Sequence, residues 1–483
     1  MPLDMAHLRA EHNGGHVRKE QLTVLDITRE HPEYMLRRSS FQTYRDLYAG
    51  GEQFMRNSYQ HLTPRHKEPE RVYAERASHS YYENYIGSII DWYAATLFRR
   101  EPVITLEGDN PSGKKFFGQL NDDCDRKGTA LTDFFRRCFI DTLVQGASHI
   151  LVDFPRLQHA PLTRADEEAR GVSRAFLVCY SSEELINWSR DPNGNYEWVV
   201  LRTEQLRQEK IDVGDWTPEK RWLYLDRQSY RLWRQTSNPS GGSPIEIEDE
   251  GTHALAKLNR VPLFDLRVTD GLWLMNKAAS LQLEHFNKSN ALSWALTNGL
   301  FATPVVYSDK ELTQSIGENY FLQLGAGDRF GWTEPQGNVH HIAAQNLERL
   351  QQEIYRVCYL LAQAGGVGAG AQSGLSKLRD YAITIEILRG FGDMVKDTMK
   401  RILRTIEQTR EDQLAIDVAG LDEFDVGDFG NDLDDAERLL RIGIESPTMR
   451  RQVFKKLALK YLCDVRQELK DKIASEIDFA TGA

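Results

Sequence analysis

With 483 residues, of which 41% are hydrophobic and 27% charged, the chain is long enough for roughly two to four structural units, and its composition excludes a disordered or fibrous protein. Its 60 Lys and Arg against 71 Asp and Glu give a net charge of −11, which excludes a strong general attraction to phosphate backbones. Five dispersed cysteines (Cys124, Cys138, Cys179, Cys358 and Cys463) exclude a disulfide framework or zinc ribbon and point to a reducing compartment. The absence of an apolar leader or long apolar run predicts a chain that is neither secreted by that route nor membrane-spanning.

From Ser39 to about Pro155 the pattern is mainly helical. In YYENYIGSIIDWYAATLFRREP, the residues Tyr82, Ile86, Ile89, Ile90, Tyr93 and Leu97 recur at three- and four-residue spacing, one apolar stripe that Pro102 soon terminates. A second helix is predicted over Leu131 to Gln145, stopping at Gly146, and HILVDFP after it reads as a buried strand closed by Pro155. Between about Arg174 and Thr269 the period changes to two, in AFLVCY, YEWVVLRTE, RWLYLD, YRLWRQ and VPLFDLRV, separated by turn clusters such as DPNGN and SNPSGGS; this is a mostly antiparallel β module.

Helical periodicity returns over Leu272 to Leu296. A small mixed segment, Pro304 to Ile342, follows, with PVVYSD, YFLQL and the turn-rich GAGDRFGW. Another helix is predicted from Asn346 to Gln363, ending in AGGVGAGAQSG, and then a long one from Leu375 to Gln408. In this long helix Leu375, Leu378, Ala382, Ile385, Leu388, Phe391, Val395, Met399, Ile402 and Ile406 line one face for about 50 Å, at about 1.5 Å per residue. Gly390 and Gly392 lie near its middle, where glycine weakens a helix, so a bend is expected there. From Glu411 to Glu437 there are eleven acidic residues and no basic one, the mark of a solvated connector. In ESPTMRRQVFKKLALKYL, Ser446 at the N-cap and Pro447 at N1 open a last helix. The fold class is therefore α+β.

No constellation nominates a catalyst, metal site or cofactor. AGGVGAGAQSG lacks the GK[ST] of a phosphate-binding loop, follows a helix where a dinucleotide fold needs a strand, and contains no cation from Ala362 to Ser376. It reads as a loop of small side chains between two helices. His340 and His341, read on a strand, would point to opposite faces and form no shared metal site. The acidic connector lacks calcium-loop spacing. Arg450, Arg451, Lys455 and Lys456 form a basic cluster on the last helix, a solvated face or a contact for DNA phosphates.

The run YAERASHSYYENYIGSIIDWYAATLFRREPVI, preceded by YRDLYAGGEQFM and followed by LVQGASHILVDFP, resembles the portal proteins of tailed double-stranded DNA phages, and the aromatic-rich helix leading to LFRREP is its most specific part. RVPLFDL entering the LEHFNKSNALSWAL helix, and a glycine-rich loop before a long helix, follow in the order of that family. The resemblance covers most of residues 40 to 460 and implies a subunit with wing, stem, clip and crown parts in a ring, usually of twelve, around a DNA channel. By position, residues 1–38 would be an N-terminal arm, 39–270 the wing, 271–297 and 344–364 the two stem helices, and 298–343 the clip. Residues 365–374 would be the tunnel loop, 375–410 a long bent tunnel helix, 411–431 an acidic connector returning to the wing, and 432–483 a short helical crown. The tunnel-loop residues implied to face DNA are Gly365, Gly366, Val367, Gly368, Ala369, Gly370, Ala371, Gln372 and Ser373. The implied partners are further copies of the chain, double-stranded DNA, the terminase motor, head-tail adaptor proteins and the major capsid protein. The implied place is a capsid vertex of the virion, after assembly in the host cytoplasm, with no cofactor, no membrane and no enzymatic activity. The alternatives are a capsid or head-tail adaptor protein without a DNA channel, and a nucleotide-dependent enzyme using Gly365 to Gly374.

Overall fold

The computed structural model describes residues 23–155, 174–207, 216–236, 244–299, 303–308, 327–333, 338–360, 374–422, 424, 437–438, 440–441, 446–461 and 467–480. In chain order the described elements are α1 (Val24–Thr28), α2 (Pro32–Ala49), α3 (Gly51–Arg56), α4 (Ser58–His61), α5 (Glu70–Ser78) and α6 (Tyr85–Leu97). Then come β1 (Val103–Glu107), α7 (Pro111–Asp122), α8 (Leu131–Gln145), β2 (Ala147–Asp153), β3 (Phe176–Ser181), β4 (Leu185–Arg190), β5 (Tyr196–Arg207), β6 (Thr217–Asp226), β7 (Ser229–Thr236), β8 (Ile245–Thr252) and β9 (Leu263–Arg267). The last group is α9 (Leu274–Gly299), β10 (Thr303–Tyr307), β11 (Arg329–Thr333), α10 (Asn338–Val357), α11 (Gly374–Arg410), β12 (Ala415–Ala419), α12 (Pro447–Tyr461) and α13 (Gln467–Ala480). The mixture of helices and antiparallel sheets agrees with the α+β reading.

The aromatic-rich helix is α6, and its apolar stripe packs as the spacing requires: Ile86, Ile89, Ile90, Tyr93 and Leu97 are all buried. It starts later than the stripe suggested. The Asn84 side chain accepts the Gly87 N–H at 2.8 Å and caps the helix, so Tyr82 lies before it, stacked on Phe54 at 3.9 Å between ring centroids. α8 spans the predicted residues, ending where Gly146 takes a left-handed conformation (φ 88°); a Cβ there would sit 3.1 Å from the Trp273 ring, so glycine serves both the turn and the close packing.

The β module divides in two. β3, β2 and β9 form one antiparallel sheet, and β4 to β8 form another in sequential order. The five-stranded sheet is covered on both faces. Val199 and Leu201 of β5 point to a core with Leu151 and Leu263, whereas Val200 between them points to Ile27, Tyr34 and Phe41 of α1 and α2. Helices thus begin at Val24, ahead of the expected Ser39, because this outer face needs a lid. The largest core joins α6, α8, α9 and α11, where Phe391 meets Tyr93 and Phe139 edge-on at 5.6 and 5.3 Å.

One sequence reading is corrected here. Residues 415–419 were assigned to a solvated acidic connector, yet they form β12, which pairs with β1 from Val103↔Ala419 to Glu107↔Ala415. The apolar residues between the acids, Leu414, Ile416 and Val418, are buried at alternate positions while Asp417 faces Lys400 on α11. The charge run concealed a period-two pattern. Near the C-terminus α13 is tied to α12 by Lys455 to Asp478 at 2.7 Å.

Candidate functional site

The elements that carried the family resemblance are brought together around α9, α10 and α11. α9 and α10 run antiparallel, since Lys277 reaches Tyr359 (2.5 Å) at one end and Lys288 reaches Asn346 (3.0 Å) further along. α10 begins at Asn338, eight residues before the predicted Asn346, and ends at Val357, before the predicted Gln363. His340 and His341 therefore lie on a helix and not on a strand. Part of the turn-rich GAGDRFGW is also ordered as β11, paired with β10 from Thr303↔Thr333 to Tyr307↔Arg329. The YFLQL run of that mixed segment lies outside the described residues.

α9 is held at its base by amide side chains. Gln282 accepts the Ile86 N–H and donates to the Glu83 carbonyl (3.2 and 2.7 Å), Asn290 accepts from and donates to the Tyr81 backbone (2.9 Å each), and Asn287 accepts the Thr63 N–H and donates to the His61 carbonyl (2.7 and 3.1 Å). These contacts satisfy backbone groups at and between α4 and α6 that have no sheet or helix partner. No pattern in the sequence announces them, because a polar residue in a helical stripe reads as a gap in the core face.

Burial then falls along both helices toward the hairpin. Met275, Ala278 and Phe286 of α9, Leu350 and Ile354 of α10, and Cys358 just after α10 are buried. Further out, Leu296 is 42% exposed, Val339 68%, Ile342 65% and Tyr307 of β10 67%. A helix–hairpin–helix unit with a packed base and bare apolar side chains at its far end is the result.

The glycine-rich loop, Gly365 to Ser373, lies outside the described residues, but its flanks are fixed. Tyr359, just after α10, takes a left-handed backbone (φ 61°). Its carbonyl accepts the Thr384 hydroxyl at 2.6 Å, its own hydroxyl donates to the Gly271 carbonyl at 3.1 Å, and the Lys277 ammonium lies 4.5 Å from its ring centroid. Beside it the buried Tyr93 hydroxyl donates to the Cys358 carbonyl at 2.8 Å, and burial pushes the Cys358 thiol up to about 12. These contacts join α9, α10 and α11 at one point.

α11 is continuous over 37 residues, including Gly390 and Gly392. Of its predicted stripe, Leu388, Phe391, Val395, Met399, Ile402 and Ile406 are buried, while Ala382 is exposed and the neighbouring Ile383 is 52% exposed. The two glycines are not alike. A Cβ on Gly392 would lie 2.0 Å from the Leu421 carbonyl oxygen, whereas one on Gly390 would meet nothing closer than 4.0 Å.

In the C-terminal helices, Ser446 caps α12 as predicted, accepting the Met449 N–H at 3.3 Å. Of the basic cluster, Lys455 is engaged with Asp478, Arg450 is exposed, Arg451 is half-buried, and the side chain of Lys456 is outside the described residues.

A charged cluster that the sequence did not reveal centres on Asp265 of β9. Its carboxylate takes His149 Nδ1 (2.7 Å), Arg190 (2.5 Å) and the Tyr196 hydroxyl (2.8 and 3.0 Å), which bolts the three-stranded sheet to the five-stranded one. Burial works to raise this carboxyl, but the His149 and Arg190 charges hold it well below the usual range. No group of three or more metal-ligating side chains occurs among the described residues, and no helix there is long and apolar enough to cross a membrane.

No protein-family model matches the chain, and no curated protein does. Among solved structures it is similar to a chain in the neck of an empty GTA (gene transfer agent) particle computed with C6 symmetry, at 13% identity over 77% of this chain and 90% of that one, with a TM-score of 0.44. A chain of the native gene transfer agent virion matches at 12% identity over 76% and 89% (TM-score 0.41), and one from the native neck computed with C12 symmetry at 12% over 75% and 86% (TM-score 0.34). At these scores the likeness carries no argument, and the reading below rests on the chain's own geometry.

Proposed function

We propose that the chain is a portal-type subunit of a tailed, double-stranded DNA phage or phage-like particle, which closes into a ring at a capsid vertex and lets duplex DNA pass. The supporting observation is the helix–hairpin–helix unit: buried at its base and bare at its end, it leaves Leu296, Tyr307, Val339 and Ile342 in water unless another surface covers them. A neighbouring copy of the same unit is the economical cover, and repeating that contact by rotation gives a ring. In this reading α9 and α10 are the stem, β10 and β11 belong to the clip, and α12 and α13 belong to the crown. Gly365 to Ser373 form the loop at the channel wall, entering from the clasp at Tyr359.

The function is then geometric. The net charge of −11 and a loop without cations favour sliding over capture, so the wall would steer the duplex without trapping it. The terminase motor would supply the chemistry and head-tail adaptors would dock on the clip. The runner-up is a head-tail adaptor or capsid component that forms no channel.

The test is electron microscopy of the purified chain in end-on view. A closed ring with a central hole of roughly 20 Å or more, wide enough for duplex DNA, is expected, and its loss in Val339→Asp/Ile342→Asp ties assembly to the bare helix face. A ring without a hole, or a solid disc, would favour the adaptor reading. Rings that form equally well in the double variant would remove the stem contact from the argument.

A further inference from the structure

A cleft of about 740 Å³ lies between the end of β9 and the C-terminal half of α11, away from the loop flanks and the hairpin. Four cations line it. Arg267 is the last residue of β9, and on α11 Arg404 follows Arg401 by three residues and Lys400 by four. Their anchors are mostly neutral. Arg401 donates to the Asp265 carbonyl (3.3 Å) and the Thr398 hydroxyl (3.1 Å), and the Nε of Arg404 donates to the Ile416 carbonyl (3.1 Å). These bonds aim the guanidinium groups without neutralising them, and each retains free N–H donors.

The acids of the cleft do not balance this charge. Asp265 is committed to His149 and Arg190, while Asp417, outside the lining, pairs with Lys400 and feels the Arg404 charge more weakly. That leaves Arg267, Arg401 and Arg404, none in an ion pair among the described residues, against the single carboxylate of Asp397. A fifth cation stands behind them: Arg260 lies over the Phe264 ring at 4.6 Å, and burial together with the Arg401 charge pushes its guanidinium below its ordinary value. Crowded like charges on rigid elements are complementary to one multivalent oxyanion, and the planar guanidinium fork matches pairs of phosphate oxygens.

We propose that this cleft binds a phosphate-class oxyanion through Arg267, Arg401 and Arg404. The inference is independent of the ring reading, since it uses none of the stem, clip or loop residues. Inorganic pyrophosphate is the probe, titrated calorimetrically into the full chain at constant ionic strength set with chloride. Saturable binding is expected, together with a rise in Tm from ligation of the folded state. Arg267→Gln/Arg401→Gln, two exposed side chains, should weaken binding about tenfold or more, and should not lower Tm without pyrophosphate because it relieves repulsion. Arg401→Lys, which keeps the charge and loses the fork, should fall between the two and serves if the double variant folds poorly. A short DNA duplex that displaces pyrophosphate from the wild type identifies a nucleic-acid backbone as the source of the phosphate; a duplex that does not displace it identifies a free phosphate compound. No saturable binding, or equal binding by wild type and both variants, would overturn the proposal.

Discussion

Gly390 and Gly392 make a paired experiment on the long helix. If glycine is present to let α11 bend, replacing either one by Ala should cost stability. If Gly392 is present because a backbone passes over it, the two substitutions should differ in sign. At Gly390 the position is exposed and the nearest atom to a new Cβ is the Leu272 methyl at 4.0 Å, so Ala should gain its helix propensity over glycine, about 1 kcal/mol. At Gly392 the same gain is offset by a Cβ placed 2.0 Å from the Leu421 carbonyl oxygen, which belongs to backbone and cannot rotate away. Either α11 or the chain after β12 must move, and overpacking of this kind costs about 1–3 kcal/mol, so the net effect is a loss of up to about 2 kcal/mol. Denaturant midpoints of Gly390→Ala and Gly392→Ala beside the wild type read this directly. Loss of stability in both would support a bend at the glycines, and equal gains would show that Leu421 does not press on α11.

Two further substitutions test the charged core. Asp141 on α8 is pushed up to about 6, first by burial and then by the Glu184 charge. A carboxyl whose folded value is raised is most favourable below its unfolded value, 3.8, and costs stability as pH rises through about 6, so Asp141→Asn should stabilise at pH 8 by about 2 kcal/mol and leave stability unchanged near pH 3. Equal midpoint shifts at both pH values would refute it. Asp265 has the opposite sign: its folded carboxyl is depressed, so its contribution is present above the ordinary carboxylate value and is lost as pH falls below it. Asp265→Asn should cost about 3 kcal/mol at pH 7 by leaving His149 and Arg190 uncompensated, with the gap from wild type closing below about pH 4, as a denaturation series would record; a constant gap across that range would show that the charge is not what bolts the two sheets.

How much was legible in the sequence follows from how local each cause is. α8 was read to the residue because its stripe and Gly146 lie in one uninterrupted stretch, and Ser446 announced α12 by a pattern of a few residues. β12 was missed because its partner, β1, lies about 300 residues earlier and its five residues sit in an acidic run whose charge outweighed the alternation of Leu414, Ile416 and Val418. α10 begins earlier than expected: Val339 and Ile342 lie on its first turns, exposed, and the turn-rich GAGDRFGW just before them read as part of the same mixed segment. The Asp265 cluster draws side chains from four separated segments and the Arg267–Arg404 cleft from two that lie more than 120 residues apart, so no window of sequence contains either.

If the chain closes into the ring proposed above, its bare apolar residues give a reason why a ring would suit it better than a pair. Fully burying a Val, Leu or Ile side chain is worth about 1.5–3 kcal/mol, so Val339, Ile342 and Ile383, each half to two-thirds exposed, offer roughly 1–2 kcal/mol apiece. One such contact falls within the range that association costs in lost translational and rotational freedom, about 4–15 kcal/mol, and an isolated dimer would be weak. Closing a ring adds one interface beyond those of the open chain at little further cost in freedom, because the last subunit is already held on one side. A subunit with a modest interface and a strong internal core is therefore suited to assembly that is all-or-none around a closed circle. The clasp at Tyr359 supports the same division, since it keeps α9, α10 and α11 in register inside each subunit while their outer ends remain available to the next.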